Sequence, residues 1–239
     1  MFKNQFPVIP VIFLCGFLIA CGGKNNSEKQ PEKEVVVQKN DSSFREKESA
    51  YAEFLSKFKL ISFDTLRVEY YYDSKDKRFK GEELTLKEAK ILPIGLTDNY
   101  FGKLSGAYAC YQFPIDSSHI GLIARIPGEY EATTVGFFIF DRKKDQLLKE
   151  YFNLSISFGD AGDAAQRTSW LFKAKNKQFQ SLVYDYSSYN HEVEDTTDHT
   201  IDEWRSYYLI NCSSPKFDTL SKNETRLKKQ FRNLLRAVN

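Results

Sequence analysis

The chain has 239 residues, with 34 lysines and arginines against 32 aspartates and glutamates, and a hydrophobic fraction of 41%. This length suits one domain, or at most two, and the overall composition is that of a globular protein. A formal net charge of +2 excludes a dedicated nucleic-acid binder, because such proteins carry a strong positive field.

The N-terminus has the layout of a secretory signal peptide. A single lysine, Lys3, precedes an apolar run over residues 6–21, which two early prolines interrupt, and polar sequence begins at Gly22. A transmembrane helix needs about 20 consecutive apolar residues, so a permanent span fits this run less well. We therefore expect residues 1–20 to be a signal peptide that is removed.

The apolar run ends in Leu18-Ile19-Ala20-Cys21, which resembles a bacterial lipobox. In that motif the small residue, here Ala20, admits the peptidase to the scissile bond, and the cysteine thiol is alkylated by a diacylglyceryl group. The resemblance implies a mature chain that begins at an acylated Cys21. Two or three acyl chains would hold it durably at a membrane, since each buried methylene contributes about 0.8 kcal/mol.

The residue after the cysteine bears on sorting. By resemblance to Gram-negative lipoproteins, Gly22 rather than an aspartate at this position implies the outer membrane. Whether the protein faces the periplasm or the cell surface stays open. The body of the chain resembles envelope lipoproteins of Gram-negative bacteria that have no assigned activity.

Residues 21–44 are predicted to be the lipidated cysteine and a tether. Residues 22–43 contain no aromatic residue, and Val35–Val37 is their one apolar patch. Such a composition buries too little apolar surface to offset its conformational entropy, so we expect disorder. Residues 45–239 are then a single globular domain.

This domain is predicted to be α+β, with helices near both ends. Apolar residues recur at helical spacing over 51–58, and again over 227–238 behind the capping-box pair Ser221 and Glu224. A second capping-box pattern at Thr85 predicts a short third helix.

Between the helices the apolar pattern has the period of two that is typical of strands. No helical pattern long enough for a crossover separates the strand-like stretches, so we expect a mostly antiparallel β-sheet. A meander, a partial barrel or a sandwich would satisfy the pattern equally. The predicted strands are 67–72, 107–113, 120–126, 135–140, 147–157, 169–174, 180–186 and 205–212.

Two cysteines remain in the body, Cys110 and Cys212, each in a predicted strand. An oxidising periplasm would allow a disulfide between them, and closing a loop of that length would stabilise the fold by roughly 4–5 kcal/mol. The alternative is two separate buried thiols, because cysteine packs as a small hydrophobe.

The densest polar segment spans residues 190–203 and holds six carboxylates and two histidines. Carboxylate oxygens suit calcium, which predicts a site at Glu192, Glu194, Asp195 and Asp198. The spacing does not match an EF-hand loop, and a solvated acidic hairpin tip is the alternative interpretation.

Aromatic residues of the second half of the chain suggest a platform on which a sugar ring could stack. Its central residues would be Trp170 and Trp204, with five neighbouring tyrosines. Cross-strand aromatic pairs that only stabilise the sheet are the alternative. The tyrosines are Tyr184, Tyr186, Tyr189, Tyr207 and Tyr208.

The chain contains no recognised nucleophile, phosphate-binding or cofactor motif. We therefore expect no catalytic residues and no cofactor, and a non-enzymatic binding or assembly role at the envelope. The expected partners are the membrane, through the lipid anchor, and an envelope protein or a glycan. The alternative function is carbohydrate binding or glycan processing.

Overall fold

A computed structural model describes residues 49–70, 78–95, 106–128 and 132–236. The predicted signal peptide, the lipidation site at Cys21 and the tether lie outside the described residues. In the described ranges, no helix combines the length and the apolar character that crossing a membrane requires.

The described chain consists mainly of strands, with four short helices and one 3-10 turn. The helices are α1 (Ala52–Ser56), α2 (Leu86–Ala89), α3 (Glu224–Gln230) and α4 (Arg232–Arg236), and the 3-10 turn is His191–Val193. The strands are β1 (Lys59–Leu60), β2 (Thr65–Val68), β3 (Glu82–Glu83), β4 (Tyr108–Pro114), β5 (His119–Ile126), β6 (Thr134–Asp141), β7 (Gln146–Asp160), β8 (Asp163–Lys173), β9 (Phe179–Asn190), β10 (Ile201–Asn211) and β11 (Thr219–Ser221).

Strands β4 to β11 follow one another in the sheet as an antiparallel meander. The strand β1 adds to β4 in parallel, β3 also pairs with β4, and β2 pairs with β8. The predicted α+β class with a mostly antiparallel sheet is confirmed, and over the described ranges the sheet is not closed on itself.

The long strand β7 divides this sheet into two halves. Its residues 146–155 pair with β6, whereas residues 156–160 pair with β8. We call β1, β3–β6 and residues 146–155 the first half-sheet, and residues 156–160 with β2 and β8–β11 the second half-sheet. Of the three predicted arrangements, the meander describes the connectivity.

The inner faces of the two half-sheets enclose the main hydrophobic core, as in a sandwich. The first half-sheet contributes Phe113, Ile123 and Phe137, and the second contributes Leu171 and Val183, all of them almost fully buried. Because side chains alternate along a strand, each half-sheet also has an outer face that needs a cover.

Helices supply these covers. Phe54 and Phe58 of the α1 segment pack on the outer face of the first half-sheet, and Leu227 of α3 packs against Trp170 on that of the second. The predicted cap of α3 was placed two residues early: Ser221 ends β11, and the side chain of Asn223 accepts from the backbone N–H of Arg226 at 3.0 Å. The predicted capping box at Thr85 is confirmed.

Candidate ligand groove

A groove of about 470 Å³ lies on the inner face of the second half-sheet, beside the main core. Along β9 this face changes from Val183, which is fully buried, to Asp185, whose side chain is 32% exposed. The residues that line the groove from this face are Ile156, Ala165, Arg167, Asp185, Ser187, Trp204 and Ser206.

Strand register brings these residues together from four strands. Ile156 is opposite Arg167, Arg167 is opposite Asp185, and Asp185 is opposite Ser206. The next row toward the hairpin tips contains Ala165, Ser187 and Trp204. Since residues in register across a sheet project to the same side, both rows face the groove.

An ion pair between Arg167 and Asp185 forms the floor. Arg167 Nε donates to Asp185 Oδ1 at 2.6 Å, and Nη2 donates to Oδ2 at 2.8 Å. The third nitrogen, Nη1, donates to the backbone carbonyl oxygen of Asn153 at 3.1 Å. Asn153 belongs to the first half-sheet, so one guanidinium joins both half-sheets where they separate at β7.

Tyr208 completes this floor, because its hydroxyl donates to Asp185 Oδ2 at 3.1 Å. Burial raises the pKa of Tyr208 to about 12, so the hydroxyl keeps its proton at neutral pH. Burial lowers the pKa of Arg167, but the hydrogen bond and the charge of Asp185 outweigh this effect and leave its pKa raised. The floor is therefore a charged pair with no net charge.

The indole of Trp204 stands at the rim of this floor. Its side chain is 56% exposed, which is high for a residue of this size. Ser187 is its neighbour across β9 and β10, and Ser206 follows two residues along β10 on the same face. An exposed aromatic surface beside hydroxyl groups and a neutral ion pair suits a neutral, hydroxyl-bearing ligand better than a highly charged one.

The three histidines of the chain each contact a carboxylate. His119 pairs with Asp116, His191 with Asp202, and His199 with Glu192. The hydrogen bond that His191 donates to Asp202 raises the pKa of His191, while burial opposes that rise. These histidine–carboxylate pairs lie at the start of β5 and in the connection between β9 and β10, away from the Arg167–Asp185 floor.

The predicted calcium site is not formed. Asp195 accepts from the backbone N–H and hydroxyl of Thr197, and Asp198 accepts in the same way from Thr200. Glu194 accepts from the hydroxyl of Tyr189 at 2.6 Å.

Glu192, the fourth predicted ligand, faces His199. Each of the four carboxylates thus points to its own local partner, and the described part of the chain contains no cluster of three or more metal-binding side chains.

The predicted platform is wrong, because Trp170 and Trp204 lie on opposite faces of the sheet. Trp170 is opposite Leu182, and Leu182 is opposite Leu209, so Trp170 shares a face with the odd-numbered residues of β10. Trp204 is even-numbered and lies on the inner face. Trp170 is only 4% exposed beneath α3 and is not available for stacking.

The tyrosines divide between the two faces in the same way. Tyr184 and Tyr207 lie on the outer face, with ring centroids 4.7 Å apart. They form the kind of stacked cross-strand pair that stabilises a sheet. Tyr208 lies on the inner face, at the groove floor.

The predicted disulfide is absent, since Cys110 and Cys212 are both free and buried. Cys110 lies on β4 and Cys212 directly follows β10, two strands that are not neighbours in the sheet. The Sγ atom of Cys110 instead donates to the carbonyl oxygen of Phe79 at 3.4 Å. Burial raises the pKa of both thiols, that of Cys110 to about 12.

Sequence reasoning did not find the Arg167–Asp185 pair. The signal available was a charged residue in the middle of each of two neighbouring strands, Arg167 after Gln166 and Asp185 between two tyrosines. Opposite charges at such positions point to a cross-strand pair, but only once the register is known.

No family model, curated protein or solved structure matches this chain. The N-terminal sequence and the groove are therefore the two features of the chain that bear on its function.

Proposed function

We propose that this protein is a lipid-anchored envelope protein, attached to the outer membrane through Cys21, whose body has a non-enzymatic binding role. The lipobox-like sequence supports the anchor, and the groove supports binding. The observation that carries the binding role is the 56% exposed Trp204 at the rim of a polar floor built by Arg167 and Asp185.

The groove has the features of a recognition site. Its floor is held rigidly, because Arg167 makes hydrogen bonds to Asp185 and to the backbone of the first half-sheet. A rigid site loses less conformational entropy when a ligand binds, which favours affinity. An aromatic side chain at a solvent-accessible rim provides a large apolar contact without a large ordering cost.

The anchor is tested by replacing Cys21 with serine and following fatty-acid labelling and membrane fractionation. We expect the parent to incorporate label and to fractionate with the outer membrane, and the variant to do neither. Identical labelling and fractionation of the two would overturn the anchor.

The binding role is tested by crosslinking intact envelopes and capturing partners with the full chain. Trp204→Ala is expected to lose the specific partner, because it removes the exposed indole of the groove. Leu220→Ala is the matched control, since Leu220 is also an exposed apolar residue, at 48%, but lies on β11 away from the groove. Equal capture by the two variants would contradict the groove as the binding site.

A second candidate function is glycan recognition, and the character of the groove favours it. A sugar ring presents an apolar face, which can stack on an indole, and hydroxyl groups, which can form hydrogen bonds with serine side chains. Trp204, Ser187 and Ser206 provide these groups. A glycan array probed with the full chain and with Trp204→Ala separates this function from protein binding. Binding that is retained in the variant, or absent in the parent, would count against it.

A further inference from the structure

Strand β10 has a free edge over most of its length. All of Ile201–Asn211 pairs with β9, whereas β11 covers only Leu209 and Ile210 on the other side. Within the ranges that the structure describes, no strand pairs with residues 201–208 along that second side. A long, unprotected edge is a template for the addition of another strand.

Two hydrogen bonds at the C-terminal end of β10 show which of its residues direct their backbone groups to the free edge. The N–H of Asn211 donates toward β11, to Asp218, at 2.9 Å, and the N–H of Cys212 donates toward β9, to Phe179, at 2.8 Å. These directions alternate along an antiparallel strand, and the β9–β10 register is unbroken. The odd-numbered residues from Ile201 to Tyr207 therefore direct their N–H and C=O groups to the free edge.

Exposed apolar side chains are concentrated at the same edge. Ile201 is 59% exposed and Trp204 is 56% exposed, and they are two of the four large hydrophobic residues with high exposure among the described positions. Glu203 lies between these two residues and Arg205 follows Trp204. Their side chains form an exposed ion pair of 2.8 Å on the outer face. On its outer face the edge thus combines apolar groups with one charge of each sign, and on its inner face it carries a third charged residue, Asp202.

When two copies of this edge are aligned in antiparallel orientation, the charges of one copy are complementary to those of the other. With a two-fold axis at Trp204, Glu203 is opposite the partner's Arg205, and Arg205 is opposite the partner's Glu203. Ile201 is opposite the partner's Tyr207. All of these pairs join odd-numbered residues, so each exchanges two backbone hydrogen bonds. An axis at Glu203 or at Arg205 would instead place like charges opposite each other, which is destabilising.

We propose that the free edge of β10 binds a second copy of this chain, forming a two-fold symmetric dimer with one continuous sheet. The occupant is a second copy because both the charge pattern and the hydrogen-bonding directions match the same edge in reverse. A C2 interface of this kind is self-complementary by construction.

The dimer also joins the two grooves. Trp204 and the partner's Trp204 form a non-hydrogen-bonded pair, in which Cβ atoms lie about 4.5–5.5 Å apart, on the inner face. Each groove would then continue into that of the other copy. This inference does not depend on which ligand the groove binds, because the contacts are made by the edge itself.

Sedimentation equilibrium of the full chain in density-matched detergent tests the proposal. The parent is expected to sediment with twice the mass of its mature monomer. Glu203→Arg and Arg205→Glu each place like charges opposite each other twice, so each is expected to weaken dimerisation by roughly tenfold or more.

An equimolar mixture of the two variants supplies the matched control. In the mixed pair every arginine at 203 or 205 is opposite a glutamate, so we expect the dimer to return. A variant that had merely lost its fold would not be rescued by mixing. A parent that stays monomeric at every concentration, or variants that dimerise as well as the parent, would overturn the proposal.

Cysteine crosslinking tests the register. In a background with Cys15 and Cys21 replaced by serine, the two remaining native thiols are the buried Cys110 and Cys212. Trp204→Cys is expected to give a disulfide-linked dimer on mild oxidation, because each residue is opposite its own copy. Ser206→Cys is expected to give little, because Ser206 is opposite the partner's Asp202. Equal crosslinking at both positions, or a crosslink to another envelope protein alone, would overturn the proposed register and occupant.

Discussion

Arg167 and Asp185 lie directly opposite each other on β8 and β9 and form a two-point ion pair of 2.6 and 2.8 Å. The pair sits where β7 leaves β8 to join the first half-sheet. Because the same guanidinium donates to the carbonyl oxygen of Asn153, it satisfies a backbone group at the point where the sheet divides. One side chain therefore serves both the fold and the floor of the groove.

Replacing Arg167 with methionine should destabilise the protein. The substitution leaves the partly buried carboxylate of Asp185 without its cation and the carbonyl of Asn153 without its donor. We expect the free energy of unfolding to fall by about 2 kcal/mol in urea titration, since unpaired buried polar groups cost about 1–3 kcal/mol each.

The control is Lys228→Met. Lys228 pairs with Glu224 at 3.0 Å on the surface of α3, where both side chains are well exposed. Such pairs contribute under about 1 kcal/mol, so this variant should remain near the parent. Equal losses for the two variants would contradict the structural role of Arg167.

The two tryptophans should be spectroscopically distinct. Trp204 is 56% exposed and Trp170 is 4% exposed, and the chain contains no others. In the Glu203→Arg background, where we expect the monomer, fluorescence of Trp170→Phe, which reports Trp204, should be red-shifted and strongly quenched by acrylamide. Fluorescence of Trp204→Phe should be blue-shifted and protected. Similar quenching of both variants would show that the assignment of faces is wrong.

How far the sequence could predict this structure is clear from these two tryptophans. Period-two alternation along β9 puts Tyr184 and Tyr186 on one side of the sheet, in agreement with the register of the strand. Which residues of two different strands share a face of the sheet depends on turn lengths and bulges, and no local sequence pattern reveals these. Trp170 and Trp204 therefore could not be assigned to faces until Leu182 was seen opposite Leu209.

The same limit explains the other differences. Local periodicity predicts the antiparallel strands and the helices near both ends, but it does not choose the meander over a partial barrel or a sandwich. The pairing of Arg167 with Asp185 and the separation of Cys110 from Cys212 depend on which strands become neighbours. Asp195 and Asp198 accept hydrogen bonds from Thr197 and Thr200, two residues further along the chain. A count of carboxylates in the sequence does not reveal such turns.

A glycine in β5 allows two aromatic rings of the main core to pack against the strand backbone. A Cβ atom at Gly121 would lie 2.6 Å from Phe113 Cζ and 2.7 Å from Phe137 Cε2, two rings that stack with centroids 5.7 Å apart. Gly121→Ala should therefore lower the free energy of unfolding by about 1–3 kcal/mol through overpacking. Gly159→Ala is the control, because its Cβ would meet nothing closer than 3.7 Å. A stable Gly121→Ala protein would show that these rings can move apart.

The buried thiols should be unreactive in the native state. Burial raises the pKa of Cys110 to about 12 and raises that of Cys212 as well, so neither forms the nucleophilic thiolate at pH 8. In a chain with serine at positions 15 and 21, we expect no alkylation before unfolding and two alkylated thiols in guanidinium without reductant. An unreduced, unfolded chain that resists alkylation would instead indicate a disulfide.

The ion pair between His191 and Asp202 should make stability depend on pH around neutrality. The nitrogen and oxygen lie 3.0 Å apart, and the hydrogen bond to Asp202 raises the pKa of His191 above its ordinary value of 6.5. A raised pKa in the folded state means that the charged form stabilises the fold. This stabilisation is fully present below the unfolded pKa and is lost as the pH rises through the folded pKa.

NMR titration should give His191 a pKa above 6.5, and Asp202→Asn should lower it toward that value. An unchanged titration in Asp202→Asn would show that the pair does not form in solution.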